Sequence, residues 1–240
     1  LLNSLSCGAS VIARANGPSR TSAQHWSDQI SKDSGTDALS RMLGGVAIAG
    51  CIIAVACDLL GASLSDRVGL ASETISNLAA GEWDILSDLG IYAFVVGVLA
   101  VTIGLLRWRV TRWDWRVGAA LLVLLAVDYT LIAAYEAYST GEGPQIHYKL
   151  VYFMGLAFPL TVLLTAGQFW EIERKLGIAL YAGGVLWALA APFLFVVPTA
   201  WDGLYERALA FGKLGWFVTM GVMIWRDPDI VRRIPKDERS

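Results

Sequence analysis

The feature that most constrains this chain is a set of six long apolar segments that carry almost no charge. Charged residues make up 17% of the sequence and apolar residues 55%, and most of the charge falls in the connectors between the segments. A bilayer core about 30 Å thick needs about 20 mainly apolar helical residues to cross it. The predicted spans are approximately residues 43–60, 86–106, 117–138, 150–170, 176–197 and 208–225.

The segments are continuously apolar and do not alternate, which favours helices over a transmembrane β-barrel. We therefore predict an all-α, polytopic membrane helix bundle with six transmembrane helices. The net charge of −2 argues against a basic surface for nucleic acid. Three cysteines and two histidines are too few for a disulfide scaffold or for most metal sites, so neither a metal nor a cofactor is predicted.

The distribution of Lys and Arg predicts the orientation. Residues 1–42 form a polar N-terminal arm and residues 226–240 a basic tail. These two segments and the connectors on the same side hold 15 of the 19 Lys and Arg residues. Because basic residues concentrate on the cytoplasmic side, both termini are expected in the cytoplasm, with the bundle in a bacterial-type inner (plasma) membrane.

Two ionisable residues lie within predicted spans, where a charge is costly and therefore informative. Asp128 lies about 16 Å from the inner surface and Lys213 about 18 Å, at about 1.5 Å of rise per residue. Since their depths match, they are expected either to pair or to share a water-filled cavity. The alternative is that each finds a backbone carbonyl or extends to the surface alone.

A second group of polar residues falls at the outer ends of the spans. Asp58 ends the first span, Asp88 opens the second, Glu136 closes the third, and His147 and Lys149 open the fourth. An imidazole beside carboxylates can perform acid–base chemistry. The competing interpretation is a set of interfacial charges hydrated among lipid headgroups.

Gly90, Gly97 and Gly104 recur every seven residues, so they share one face of the second span. Small residues let membrane helices approach closely, which predicts either packing within the bundle or a docking face for another chain. In the first outer connector, residues 61–85, Ile75 and Leu78 suggest a short amphipathic helix capped by Ser72 or Thr74.

Two short motifs carry a family resemblance. Ile75, Ser76 and Leu78 match an Ile-Ser-x-Leu-like motif before a glycine-containing second span, and His147 stands near the start of the fourth. Over about residues 43–225 the chain resembles the six-helix membrane family known as domain of unknown function 998. The resemblance implies a six-span bundle and no particular reaction.

Three functions remain open. The absence of a catalytic motif, the glycine faces and the polar arm favour an accessory or structural subunit, with the lipid bilayer and other proteins of a membrane complex as partners. Asp128 and Lys213 fit a small transporter or a lipid-binding protein. His147, with Glu136 and Asp88, fits an intramembrane enzyme that modifies lipids.

Overall fold

The structure is a computed structural model that describes residues 20–65, 70–72, 74–135 and 143–226, with side chains from residue 37 onward except 143–145. Backbone contacts divide the chain into two units, Leu1–Asp37 and Ala38–Ser240. Within the described part all regular structure is helical. The α-helices are α1 (Arg20–Leu64), α2 (Ile75–Ala79), α3 (Asp84–Arg107), α4 (Trp113–Ala134), α5 (Gly143–Ile172), α6 (Arg174–Ala190) and α7 (Asp202–Arg226), and a 3₁₀ turn, Ala191–Phe195, follows α6.

Six of these helices are long and apolar enough to cross a membrane, as the sequence predicted. The candidate spans are Asp37–Leu64, Asp84–Arg107, Trp113–Ala134, Ile146–Ile172, Arg174–Phe195 and Asp202–Arg226.

The helices extend beyond the apolar segments because charged residues at a helix end do not stop a helix. The third span begins at Trp113 rather than 117, since acidic Asp114 suits the positive end of the helix dipole. It ends at Ala134 rather than 138, where Tyr135 leaves helical geometry. The sixth begins at Asp202 rather than 208. Helix α1 already begins at Arg20, within the polar arm, because extending an existing helix needs no new nucleus.

Consecutive helices α3, α4, α5 and α6 pack side by side, and α7 packs against α3 and α6. Helix α1 lies against α3 and α7 at glycine contacts. A Cβ added to Gly50 would come within 2.5 Å of the Ala93 carbonyl oxygen, so the two backbones touch. Gly90 and Gly97 face α1, and Gly104 faces Ile224 of α7. The glycine face thus lies at contacts inside the bundle.

The connector between α1 and α3 contains the short helix expected there. Thr74 caps α2, and its hydroxyl accepts a hydrogen bond from the Asn77 N–H at 3.0 Å. Leu78 is buried against Gly61 of α1. The Trp83 indole donates to the Leu64 carbonyl at 3.2 Å. These contacts fix α2 over one end of the bundle, which we call the α2 end.

Candidate functional site

A cavity of about 500 Å³ opens inside the bundle toward the α2 end. Most of its walls are apolar side chains from α1 and α3 to α7. Five polar residues form one side of it, here called the polar wall, and a lysine, Lys213, lies apart from them. The polar wall consists of Asp58, Ser76, His147, Glu206 and Arg207.

The centre of the polar wall is a buried ion pair between α1 and α7. Arg207 donates from Nε to Asp58 Oδ2 at 2.9 Å and from Nη2 to Oδ1 at 3.0 Å. Its Nη1 donates to the carbonyls of Leu70, at 2.9 Å, and Gly203, at 3.3 Å. Arg207 is only 4% exposed. Two-point pairing with extra carbonyl acceptors is the arrangement that makes a buried guanidinium tolerable.

Glu206 attaches α2 to α7. Its Oε2 accepts from the Ile75 N–H at 2.7 Å, and its Oε1 accepts from the Ser76 hydroxyl at 3.3 Å. Both carboxylate oxygens therefore have donors within the protein.

His147 completes the polar wall and is 5% exposed. Its Nδ1 lies 3.0 Å from the Tyr135 carbonyl oxygen. Because a carbonyl can only accept, Nδ1 carries the hydrogen, and in a neutral ring Nε2 is the acceptor. Nε2 lies 3.5 Å from the Ser76 oxygen. Ser76 thus stands between an imidazole and the Glu206 carboxylate, and its single hydroxyl hydrogen can be donated to only one of them at a time.

Lys213 lies deeper along α7 and has a different environment. Its ammonium is 4.5 Å from the centre of the Tyr129 ring and 5.5 Å from that of Phe94. It is 3.5 Å from the Met154 sulfur. Among the described residues, no carboxylate forms an ion pair with it within 4.0 Å.

Asp128 is 3% exposed, and neither carboxylate oxygen has a hydrogen-bond partner in the part of the chain that the structure describes. It does not line the cavity. The direct pairing expected of Asp128 and Lys213 is absent from this arrangement, although Lys213 contacts the ring of Tyr129, the next residue in α4. Matching depth placed both groups in the interior but did not bring them together.

Two other expected site residues fall outside the polar wall. Asp88 is half-buried near the start of α3, and Lys149 is exposed on α5; neither lines the cavity. Glu136 lies outside the described residues. Within the described ranges, no three His, Cys, Asp or Glu side chains are grouped in a way that could hold a metal ion.

The family model for proteins of unknown function designated DUF998 matches residues 48–223. The chain belongs to this family. Neither a curated protein nor a solved structure matches it. The match confirms the resemblance drawn from the two motifs. In this DUF998 protein, the motif residues Ser76 and His147, which are distant in sequence, meet at one wall of the cavity.

Glu206 and Arg207 were missed as site residues because the apolar segment was taken to begin at residue 208. A signal was nevertheless available. Glu206 and Lys213 are seven residues apart, nearly two helical turns, so a helix that includes both places them on one face. Extending the sixth helix back to Asp202 would have aligned them.

Proposed function

We propose that the protein binds a membrane amphiphile, with the polar end of the ligand inside the cavity and its chain toward the lipid. The observation that carries this proposal is a large, mostly apolar cavity with a single polar wall. Binding sites for small molecules typically have about 300–1,000 Å³, apolar walls and a few polar groups that orient the ligand. The size and lining of this cavity agree with that description.

The rim of the cavity supports access from the bilayer. Five lining residues are exposed, and all are apolar or aromatic: Tyr152, Leu156, Pro192, Phe195 and Phe211. They come from α5, the 3₁₀ turn and α7, and we call them the portal. Because these elements belong to candidate spans, the portal faces acyl chains in a membrane. A ligand dissolved in the bilayer could enter without crossing water.

The direction of the cavity follows from charge. The basic residues of the arm, the α3–α4 connector and the tail favour a cytoplasmic position for both termini. The α2 end would then face away from the cytoplasm of a bacterial-type plasma membrane. Single cysteines in place of Ser63 and Thr111, in a background without the three native cysteines, test this. An impermeant maleimide should label position 63 in intact cells and position 111 only after lysis; the reverse pattern would contradict the orientation.

A cavity-filling substitution tests the binding proposal. Gly155 lines the cavity, and a Cβ added there meets no atom within 4 Å. Gly155→Leu should therefore project into open space and exclude the ligand without a clash. Gly183 is the matched control, because its Cβ also meets nothing within 4 Å but it lies on α6 outside the cavity lining.

Wild-type protein and both variants would be purified in mild detergent and weighed by native mass spectrometry, and their bound lipids extracted. We expect the wild type and Gly183→Leu to retain a lipid-like molecule near one per chain, and Gly155→Leu to lose most of it. Equal retention by all three would show that any bound lipid is outside the cavity and would contradict the proposal.

The accessory-subunit function stays a prediction, and the same purification tests it. Other proteins present in fixed ratio to this chain would support a subunit of a complex. The glycine face no longer argues for a partner, because Gly90, Gly97 and Gly104 face α1 and α7. Transport through Asp128 and Lys213, and lipid modification by His147, also stay predictions. For the enzyme, a His147→Ala strain with unchanged lipids would contradict it.

A further inference from the structure

We infer that the ligand of the cavity carries an anionic oxygen group, a carboxylate or a phosphate, and that Lys213 binds it. This inference rests on the proposed function and specifies the chemical class of the amphiphile. It follows from a comparison of the charged residues that line the cavity. Those of the polar wall have partners within the protein, whereas Lys213 has no carboxylate partner among the described residues.

The charges of the polar wall are satisfied from within the protein. Arg207 is paired with Asp58 through two hydrogen bonds and also bonds two carbonyls. Glu206 accepts from a backbone N–H and a hydroxyl. A ligand that bound any of these groups through its charge would have to displace an existing partner, so they are poor anchors for a charged ligand.

Lys213 is the exception among the charged residues that line the cavity. Two aromatic faces and a thioether surround its ammonium. Such neighbours stabilise a cation modestly but are much weaker acceptors than a carboxylate or phosphate oxygen. An ammonium at this depth without an anionic acceptor carries a large desolvation penalty, which an anionic ligand would offset.

The neighbouring carboxyl groups do not replace such a ligand. Asp128 and Glu206 are near enough for their charges to act on Lys213, but neither forms an ion pair with it. Glu206 is seven residues away, nearly two turns or about 10 Å along α7, and its oxygens accept hydrogen bonds from α2. No donor among the described residues reaches the Asp128 oxygens. In that part of the chain, the Lys213 ammonium therefore has no carboxylate partner for its three donors.

The portal lies at the right depth for this ligand. Phe211 is two residues before Lys213 on α7, and Leu156 is two residues after Met154, the residue that the ammonium touches. An anionic group held at Lys213 therefore has an apolar exit beside it. The chain of a fatty acid or an anionic lipid can remain among the acyl chains while its head lies inside the bundle.

The test compares a charged probe with its neutral analogue. A fluorescent polyene fatty acid and its methyl ester would be titrated into the full-length protein in neutral detergent micelles, for wild type, Lys213→Gln and Lys213→Arg. Lys149→Gln is the control, because it removes the same charge from an exposed position on α5 outside the cavity lining. Competition by lysophosphatidic acid, a neutral monoacylglycerol and inorganic phosphate would distinguish the sources of the anion.

We expect the wild type to bind the acid more tightly than the ester. Lys213→Gln should lower the affinity for the acid by about tenfold or more, as loss of a charged hydrogen bond implies. The affinity of that variant for the ester should change by less than about twofold. Lys213→Arg and Lys149→Gln should retain the preference. Lysophosphatidic acid should displace the probe, and inorganic phosphate alone should not.

Several outcomes would overturn the inference. They are equal binding of acid and ester by the wild type, equal loss of both in Lys213→Gln, and displacement by inorganic phosphate alone. The wild-type comparison decides the matter even if Lys213→Gln does not fold. In each of these cases, Gly155→Leu still reports on the proposed function: if it abolishes binding of the ester, the cavity takes a neutral amphiphile. If it leaves both probes bound, the proposed function itself is wrong.

Discussion

Arg207 and Lys213 lie less than two helical turns apart on α7, but their surroundings inside the membrane bundle differ. Arg207 is paired with Asp58 and held by two backbone carbonyls. Among the described residues, Lys213 contacts aromatic rings and a sulfur atom but forms no ion pair with a carboxylate, and the buried carboxyl of Asp128 has no hydrogen-bond partner. The first arrangement is typical of a structural pair. In the second, the Lys213 ammonium lines a cavity and remains available to bind an anion.

The chemistry of the two side chains fits this difference. A guanidinium presents a planar set of donors that can meet a carboxylate and several carbonyls at once, so Arg207 can join α1, α7 and the connector after α1. An ammonium is a compact charge on a flexible stem and suits a single exchangeable anion. The comparison therefore separates a residue that holds the bundle together from one available for a ligand.

The largest expected effect comes from breaking the structural pair. Arg207→Met should lower the free energy of unfolding by about 3–5 kcal/mol, because it leaves the Asp58 carboxylate buried without its partner. The double variant Asp58→Leu/Arg207→Met should recover at least half of that loss, since no buried charge remains. Thermal unfolding and SDS titration in mixed micelles measure both.

A loss below about 1 kcal/mol for Arg207→Met would mean that the Asp58–Arg207 contact behaves as a surface pair. Such a result would remove the distinction between Arg207 as a structural residue and Lys213 as a residue available for a ligand. A double variant no more stable than Arg207→Met would show that the carbonyl contacts, and not the carboxylate, make Arg207 important.

The next effect is smaller and of opposite sign. Asp128→Leu should leave the free energy of unfolding unchanged or raise it by about 1 kcal/mol, because it replaces a buried polar group without hydrogen bonds by an apolar one. A double-mutant cycle with Lys213→Met should give a coupling well below that of the Asp58–Arg207 pair, because the charges of Asp128 and Lys213 interact without forming an ion pair. The equivalent cycle for Asp58 and Arg207 is the positive control. Strong coupling between Asp128 and Lys213 would restore the pair that their depths suggested and would weaken the case for a ligand at Lys213.

The depths of Asp128 and Lys213 in the membrane could be predicted from the sequence, because bilayer thickness and helical rise fix how far a residue lies along a span. The direction in which each side chain points around the bundle could not be predicted, because it depends on which helices pack together. Phe94 of α3 packs edge-on against both Tyr129 of α4 and Phe217 of α7, at 5.1 and 5.0 Å between ring centres. These rings fill the space between α4 and α7, next to Asp128 and Lys213.

Most of the polar wall was not predicted from the sequence, for a related reason. It forms where α2 meets α7, through contacts between residues about 130 positions apart, such as Ser76 and Glu206. Hydropathy predicts that a helix crosses the membrane, but it does not show how far the helix continues past the apolar segment or what its last turn touches. The six spans and the family were therefore predictable, whereas the polar wall was only partly so, through Asp58, Ser76 and His147.

The smallest expected effect on the free energy of unfolding concerns Arg112, which lies outside the candidate spans and can be compared with Arg207 and Lys213. Arg112, in the α3–α4 connector, pairs with Asp114 of the first turn of α4 at 2.8 Å, and the Arg112 side chain is 38% exposed. The hydrogen bond that Arg112 donates to the Asp114 carboxylate raises the pKa of Arg112, and a guanidinium stays charged without such a partner as well. Asp114→Asn should lower the free energy of unfolding by no more than about 1 kcal/mol, because water solvates the charge that remains. The same unfolding assays measure it, and raised salt should shrink the difference further. A loss as large as that of Arg207→Met would mean that geometry, rather than burial, determines the contribution of these ion pairs, and the contrast drawn along α7 would have to be explained without desolvation.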